Sequence, residues 1–170
     1  MPEIATPRFI LRDLRQEDIT NRYLEWFVDP AAQQHIAAAA HTHTLAQLRA
    51  YLAERTGRRD VLFLGIFDKA TGLHIGNVKY EPLDAANGYA VMGILIGDPG
   101  SRGKGVAGEV IAASARWLQA HEGIREIVLG VHRDNAAAIQ AYQRVGFVVE
   151  DTPRIPMTDD AFTMVWRLED

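Results

Sequence analysis

The chain has 170 residues, enough for one domain with an ordinary core. Its apolar content of 48% and charged content of 24% are those of a soluble globular domain. A formal net charge of −4 without a basic run argues against a nucleic-acid partner, and the lack of cysteine excludes disulfides, thiolate metal sites and a cysteine nucleophile.

In chain order, residues 8–13 read as a first strand and 16–27 as a helix. Asp29-Pro30 ends that helix, because proline disfavours the α conformation in the residue before it. Residues 31–40 are alanine-rich and of unassigned form. Thr44 suits the N-cap of a helix over 45–55, closed by Gly57. Residues 61–67 and 74–81 read as strands joined at the turn-rich Asp68-Lys69-Ala70-Thr71-Gly72. A strand over 89–96, a helix over 109–121 and a strand over 126–131 follow. The segment after Asn135 is apolar at 138, 141, 142 and 145, a helical stripe with Asn135 as N-cap and Gly146 as its stop. Residues 162–168 read as a last strand at the sheet edge. The pattern predicts one α+β domain with a mixed sheet. No apolar run approaches the ~18 residues of a membrane span. The opening Met1-Pro2-Glu3-Ile4 lacks the charged and apolar regions of a secretory leader, so a cytoplasmic protein with no membrane partner is expected.

The most informative stretch is Gly97 to Glu109. Gly103, Gly105 and Gly108 follow an apolar run and precede a helix, which lets backbone N–H groups approach a bulky anion at the positive end of the helix dipole. Three readings compete. Gly103-x-Gly105-x-x-Gly108 satisfies the dinucleotide fingerprint, but five residues separate strand from glycines and the next strand ends in His132 rather than an acid. The nucleotide-triphosphate loop fails because Lys104 is followed by Gly105 and position 98 is Asp. Coenzyme A is the third.

With the downstream helix included, the chain resembles the GNAT superfamily of acyl-CoA N-acetyltransferases. The family loop Arg/Gln-x-x-Gly-x-Gly/Ala matches Arg102, Gly105 and Ala107. A second signature, Asn-x-x-Ala-x-x-x-Tyr-x-x-x-Gly-Phe, matches Asn135, Ala138, Tyr142, Gly146 and Phe147. The resemblance implies a mixed, mostly antiparallel sheet of about seven strands, splayed at the middle and flanked by about four helices, in a single N-acetyltransferase domain over 1–170. It implies acetyl-CoA as co-substrate. The backbone of Ile94, Leu95 and Ile96 would pair with the pantetheine arm. Arg102, Gly103, Lys104, Gly105, Val106, Ala107 and Gly108 would hold the pyrophosphate, Asn135 would bond the pantetheine chain, and Tyr142 would protonate the departing thiolate. A phenol of pKa about 10 is protonated at neutral pH and suits that task.

The general base is less legible. The family often carries a Glu on the strand before the glycine loop, but here that strand reads Tyr89-Ala90-Val91-Met92-Gly93. His132, Glu81, Asp84 and His74 are candidates, His132 being favoured among side chains for its near-neutral titration. Deprotonation through ordered water is the default. The spacing of His35, His41 and His43 is that of a metal site, but no close acid completes the set, and no metal is expected. The stretch 22–30 resembles bacterial relatives grouped with nucleotide-linked amino-sugar and ribosomal-protein N-terminal acetyltransferases. There Tyr23, Trp26 and Phe27 would either stack on an acceptor or fill the core. The acceptor is expected to be a small-molecule amine, an amino sugar first, with peptide N-termini behind and a catalytically idle CoA-binding module as the rival. The chain is expected to be a monomer or homodimer.

Overall fold

The computed structural model describes residues 2–28 and 43–169. The Asp29-Pro30 helix stop, the alanine-rich segment 31–40, and His35 and His41 lie outside the described residues. Two short strands, β1 (Glu3–Ala5) and β2 (Phe9–Asp13), lead through a 3-10 turn at Gln16–Asp18 to α1 (Asn21–Val28). Then come α2 (Leu45–Arg55), β3 (Leu62–Asp68), β4 (His74–Asp84) and β5 (Tyr89–Ile96). After the glycine-rich loop follow α3 (Val106–Glu122), β6 (Glu126–His132), α4 (Ala136–Val145), β7 (Val148–Val149) and β8 (Ala161–Arg167).

The strands form one eight-stranded sheet in the order β1-β2-β3-β4-β5-β6-β8-β7. Every neighbouring pair is antiparallel except β5 and β6, which run parallel. That pair is registered over three residues only: Tyr89 with Glu126, Ala90 with Ile127, and Val91 with Val128. Beyond Val91 the two strands part, and among the described residues no strand pairs with the β6-facing edge of residues 92–96.

Alternation along the strands sends successive side chains to opposite faces and so builds two cores. On one face Leu62, Leu64, Ile66, Val78, Tyr80 and Met92 pack with Val110, Ile111 and Leu118 of α3. On the other, Phe63 and Leu95 meet Tyr23, Trp26 and Phe27 of α1 and Leu48 and Leu52 of α2. Each large apolar side chain fully buried there stabilises by about 1.5–3 kcal/mol. The first core also holds a polar pair, Tyr80 Oη and Ser114 Oγ at 2.7 Å, which ties sheet to helix.

Most predicted elements are present, with four corrections. β1 escapes the sequence reading because three residues carry too little pattern. The helix expected over 16–27 is broken at Ile19-Thr20: the Thr20 hydroxyl accepts from Tyr23 N at 3.2 Å and starts α1 afresh. α3 begins at Val106, three residues before the expected 109, since Gly105 at φ +74° turns directly into it. Finally, β8 is not the sheet edge. It lies between β6 and β7, and the two-residue β7 takes the edge. The strand count is therefore eight rather than about seven. α2 starts as expected, with Thr44 and Gln47 satisfying each other's backbone N–H groups at 3.1 and 2.9 Å.

The end of β5 is clamped to α1. Gly97 N donates to Ile75 O at 2.9 Å, and a Cβ on Gly97 would lie inside the Trp26 indole. Gly97→Ala is expected to displace Trp26 and cost about 1–3 kcal/mol in urea denaturation. An unchanged midpoint would show that α1 is not fixed to the strand there.

Candidate functional site

The loop that leaves β5 is shaped by two left-handed glycines, Gly103 (φ +73°) and Gly105 (φ +74°). The first intrahelical bond of α3 runs from Glu109 N to Gly105 O at 3.3 Å. The N–H groups of Val106, Ala107 and Gly108 precede it, at the positive end of a 17-residue helix. Arg102 is half-buried, its Nε donating to Ile96 O at 3.0 Å and a terminal nitrogen reaching Gly97 O at 3.4 Å. Its guanidinium thus braces the strand end. Lys104 is exposed, and its carbonyl accepts from Arg8 at 2.9 Å.

A second brace holds the helix start. Glu109 Oε2 accepts from the Thr6 hydroxyl at 2.5 Å and from Arg8 N at 2.9 Å, while Oε1 accepts from Arg8 Nε at 2.7 Å. The β1–β2 turn is thereby tied to the glycine loop across about a hundred residues of sequence. Burial raises the Glu109 carboxyl, but the Thr6 and Arg8 donors outweigh it and hold it below its ordinary 4.5. Nothing in the sequence around either element signals this link.

α4 packs beside the same loop. A Cβ at Gly108 would stand 3.8 Å from Val145 Cγ2, so the two helices approach closely at the first turn of α3. Ala138, Ile139, Tyr142 and Val145 lie on the main core together with Ile94, Ile96 and Ala107. The Tyr142 ring is half-buried, 5.9 Å from that of Phe147, and burial pushes its phenol up to about 12. It is therefore a protonated group at neutral pH. Asn135 caps α4, its Oδ1 accepting from Ala138 N at 3.2 Å. His132 ends β6 and is half-buried, with Nδ1 3.3 Å from Asp134 N and 3.7 Å from the exposed Asp134 carboxylate. Tyr142 of α4, Ala107 at the start of α3, and Ile94 and Ile96 of β5 thus pack on the same core.

The opposite face carries a cavity of about 590 Å³ between α1, α2 and strands β3 to β5. Tyr23, Phe27, Leu48, Tyr51, Phe63 and Leu95 make its walls apolar, and Gly93 and Ile94 bring it to the divergence. Its polar lining includes Asn77, Lys79, Gln47 and Glu54. Tyr23 and Phe27 are buried in the core and also line the cavity, whereas Trp26 is buried under Gly97. Tyr51, Phe63, Asn77 and Lys79 are not singled out by the sequence. The only signal is the spacing of Gln47, Tyr51 and Glu54, which puts them on one helical face.

Three of the base candidates are committed elsewhere. His74 is stacked between Phe67 (4.7 Å) and Tyr23 (5.7 Å), bonds Asn77 Oδ1 at 2.9 Å, and is driven below its ordinary pKa chiefly by burial. Glu81 accepts from Arg55 Nε at 2.8 Å. Burial raises its carboxyl, but Arg55 and Lys79 outweigh that and depress it, which weakens it as a base. Asp84 folds its own turn by accepting from Asn87 N and Nδ2 at 3.0 and 2.8 Å. Among the described residues there is no cluster of three potential metal ligands, and no helix is long and apolar enough to cross a membrane.

Residues 8–148 match the profile of the acetyltransferase (GNAT) domain. The chain is 32% identical over 111 residues to mycothiol acetyltransferase of Corynebacterium glutamicum (strain R), a match covering 65% of this chain and 35% of that protein. The chain thus spans about a third of that relative's length. Its fold is similar to that of RimL, a ribosomal L7/L12 α-N-protein acetyltransferase solved with coenzyme A, at a TM-score of 0.83, 16% identity and 98% coverage of both chains. It is also similar to the microcin C7 self-immunity acetyltransferase MccE, solved with acetyl-CoA and AMP. That match has a TM-score of 0.80 and 16% identity, covering 95% of this chain and 93% of that one.

The brace on the helix start has a pH signature. A carboxyl depressed in the folded state stabilises fully above its unfolded pKa and loses that stabilisation as pH falls through the folded value. Glu109→Gln is therefore expected to cost about 1 kcal/mol at neutral pH, a modest figure because Arg8 is 45% exposed. The difference from the parent protein should shrink as pH drops below 4.5. Urea midpoints measured across that range check it, and a gap independent of pH would contradict it.

Proposed function

This chain belongs to the GNAT acetyltransferase family, and from that premise we propose that it moves an acetyl group from acetyl-CoA to a primary amine by direct attack. The observation that carries the reading is the divergence of β5 from β6 beside the glycine-turned start of α3. The open edge of Ile94, Leu95 and Ile96 offers backbone groups for the pantetheine amides. The loop from Arg102 to Gly108 supplies N–H groups for the pyrophosphate, with Lys104 adding charge. Asn135, whose Oδ1 caps α4, keeps its amide N–H groups for the same arm. Two of the structurally similar proteins were solved with coenzyme A or acetyl-CoA, which supports that co-substrate.

The thioester then lies at the divergence, within reach of the cavity on the α1/α2 face. The amine nitrogen attacks the thioester carbonyl, the carbon–sulfur bond breaks, and Tyr142 gives its phenolic proton to the leaving thiolate. The ammonium proton departs to water, with His132 at the end of β6 as the side chain placed to take it. Holding the two reactants together supplies much of the acceleration, up to about 7–11 kcal/mol. Residues 1–170 act as one N-acetyltransferase domain. The acceptor is a small-molecule amine, an amino sugar first. The mycothiol acetyltransferase resemblance is in keeping with small molecules, and the RimL resemblance keeps peptide N-termini as the alternative.

Thiol release from acetyl-CoA against amino sugars, short peptides, spermidine and aminoglycosides tests this. One acceptor class should turn over. Tyr142→Phe should lower kcat on the order of a hundredfold while acetyl-CoA affinity holds. Gly105→Val should abolish acetyl-CoA binding, since the left-handed turn excludes a branched side chain. Full turnover in Tyr142→Phe would remove the proton-donor role. Silence across the panel with acetyl-CoA still bound would favour a CoA-binding module without turnover.

A further inference from the structure

The charge balance of the acceptor cavity restricts its occupant further. Lys79 stands opposite Gly93 in the β4–β5 register, on the cavity face of the sheet, at the point where β5 has left β6. A Cβ at Gly93 would meet nothing within 4 Å, so the space beside the Lys79 stem is open. The Lys79 ammonium donates to the Tyr51 hydroxyl and sits 4.9 Å from the Tyr51 ring centroid and 6.0 Å from that of Phe63. Its side chain is only 28% exposed.

The carboxylate nearest to Lys79 is over-subscribed. Glu81 Oε1 accepts from Arg55 Nε at 2.8 Å, whereas Lys79 Nζ stays 3.4 Å from that oxygen. Arg58 approaches the other Glu81 oxygen at 3.8 Å and is itself held by both oxygens of Asp60 at 2.9 and 2.8 Å. Arg55 is thus the closer partner of Glu81, and Lys79 holds only the longer contact to that carboxylate. Glu54, a carboxylate of the cavity lining, lies 3.5 Å from Arg55 and is 70% exposed, where solvent and salt screen it. An ammonium has three donors, of which Tyr51 takes one and Glu81 draws weakly on another. Apolar walls raise the worth of a charge that meets it there.

We propose that Lys79 and Tyr51 form an anion subsite in the acceptor cavity, so that the acceptor is a primary amine bearing a phosphate or carboxylate. The amine is delivered at Gly93 and the anion rests on Lys79, with a ring or other flat face of the acceptor against Phe63. This inference rests on the acetyl-transfer reading only in taking the cavity as the acceptor site.

Binding and turnover separate the two. The CoA-saturated protein is titrated with glucosamine, an amino-sugar phosphate, UDP-linked glucosamine, an acidic dipeptide and spermidine, and thiol release is followed with each. At least one anionic probe should bind about tenfold or more tighter than glucosamine, and whether phosphate or carboxylate is preferred identifies the anion. Lys79→Met should erase that preference, Lys79→Arg should keep most of it, and Tyr51→Phe, a milder change, should weaken it severalfold. CoA affinity and thermal midpoint report whether each variant is folded. Equal binding of charged and neutral probes, failure of any anionic probe to bind, or a preference that survives Lys79→Met would overturn the subsite. Absence of thiol release with every amine strikes at acetyl transfer instead, and the affinity ratio still decides the role of Lys79.

Discussion

A parallel strand pair that is allowed to form for only three residues governs the rest of this molecule. Tyr89–Val91 of β5 and Glu126–Val128 of β6 are held together, and the strands then part. An unpaired strand edge in the middle of a sheet leaves backbone donors and acceptors without partners, a condition a protein interior does not tolerate without compensation. Here the opening coincides with the start of the glycine loop at one end and the α1/α2 cavity on one face. A substrate arm that hydrogen-bonded like a strand, as proposed, would repair the edge and pass through the sheet from one face to the other. The sheet cannot close without losing that passage.

The opening is braced both locally and from sequence-distant elements. Arg102 reaches back to the last carbonyls of the β5 edge. The Thr6–Arg8–Glu109 contacts pin the first turn of α3 to the β1–β2 turn. Val145 of α4 packs against Gly108, which brings the two helices bordering the loop into contact. Each contact is worth little alone, but together they fix N–H groups that have no intrahelical partner. Pre-ordering such donors in the free protein lowers the cost of ordering them when an anion arrives.

The legible part of this architecture is local chemistry. Glycines that turn left-handed, an asparagine that caps, a threonine–glutamine capping box and a helical apolar stripe all declare themselves within a few residues, and the loop and α4 can be read that way. The edge position expected for residues 162–168 fails because strand order is a long-range property. β8 reaches β6 and β7 by a path that no window of sequence encodes, and the two-residue β7 has no periodicity to read. The cavity stays hidden for a related reason. Lys79, Tyr51 and Phe63 belong to three elements, and each alone looks like an ordinary strand or helix residue. The helix break at Thr20 is readable in principle, since a threonine three positions before a helical tyrosine is a cap signal. The apolar stripe that runs across it masks the break.

The contact between Gly97 and Trp26 has a consequence for how such a protein diversifies. Trp26 is 4% exposed and rests on the residue that joins β5 to the glycine loop, so a change that shifts α1 also presses on the start of that loop. Selection for a new acceptor therefore meets two unequal walls. If the glycine loop holds the co-substrate as proposed, substitutions in the α1 wall are filtered by co-substrate affinity before acceptor choice is tested. The α2 wall presents Gln47, Ala50, Tyr51 and Glu54 on a helix anchored in the core by Leu48 and Leu52. Variation in acceptor range among descendants of this chain should accumulate on that one helical face.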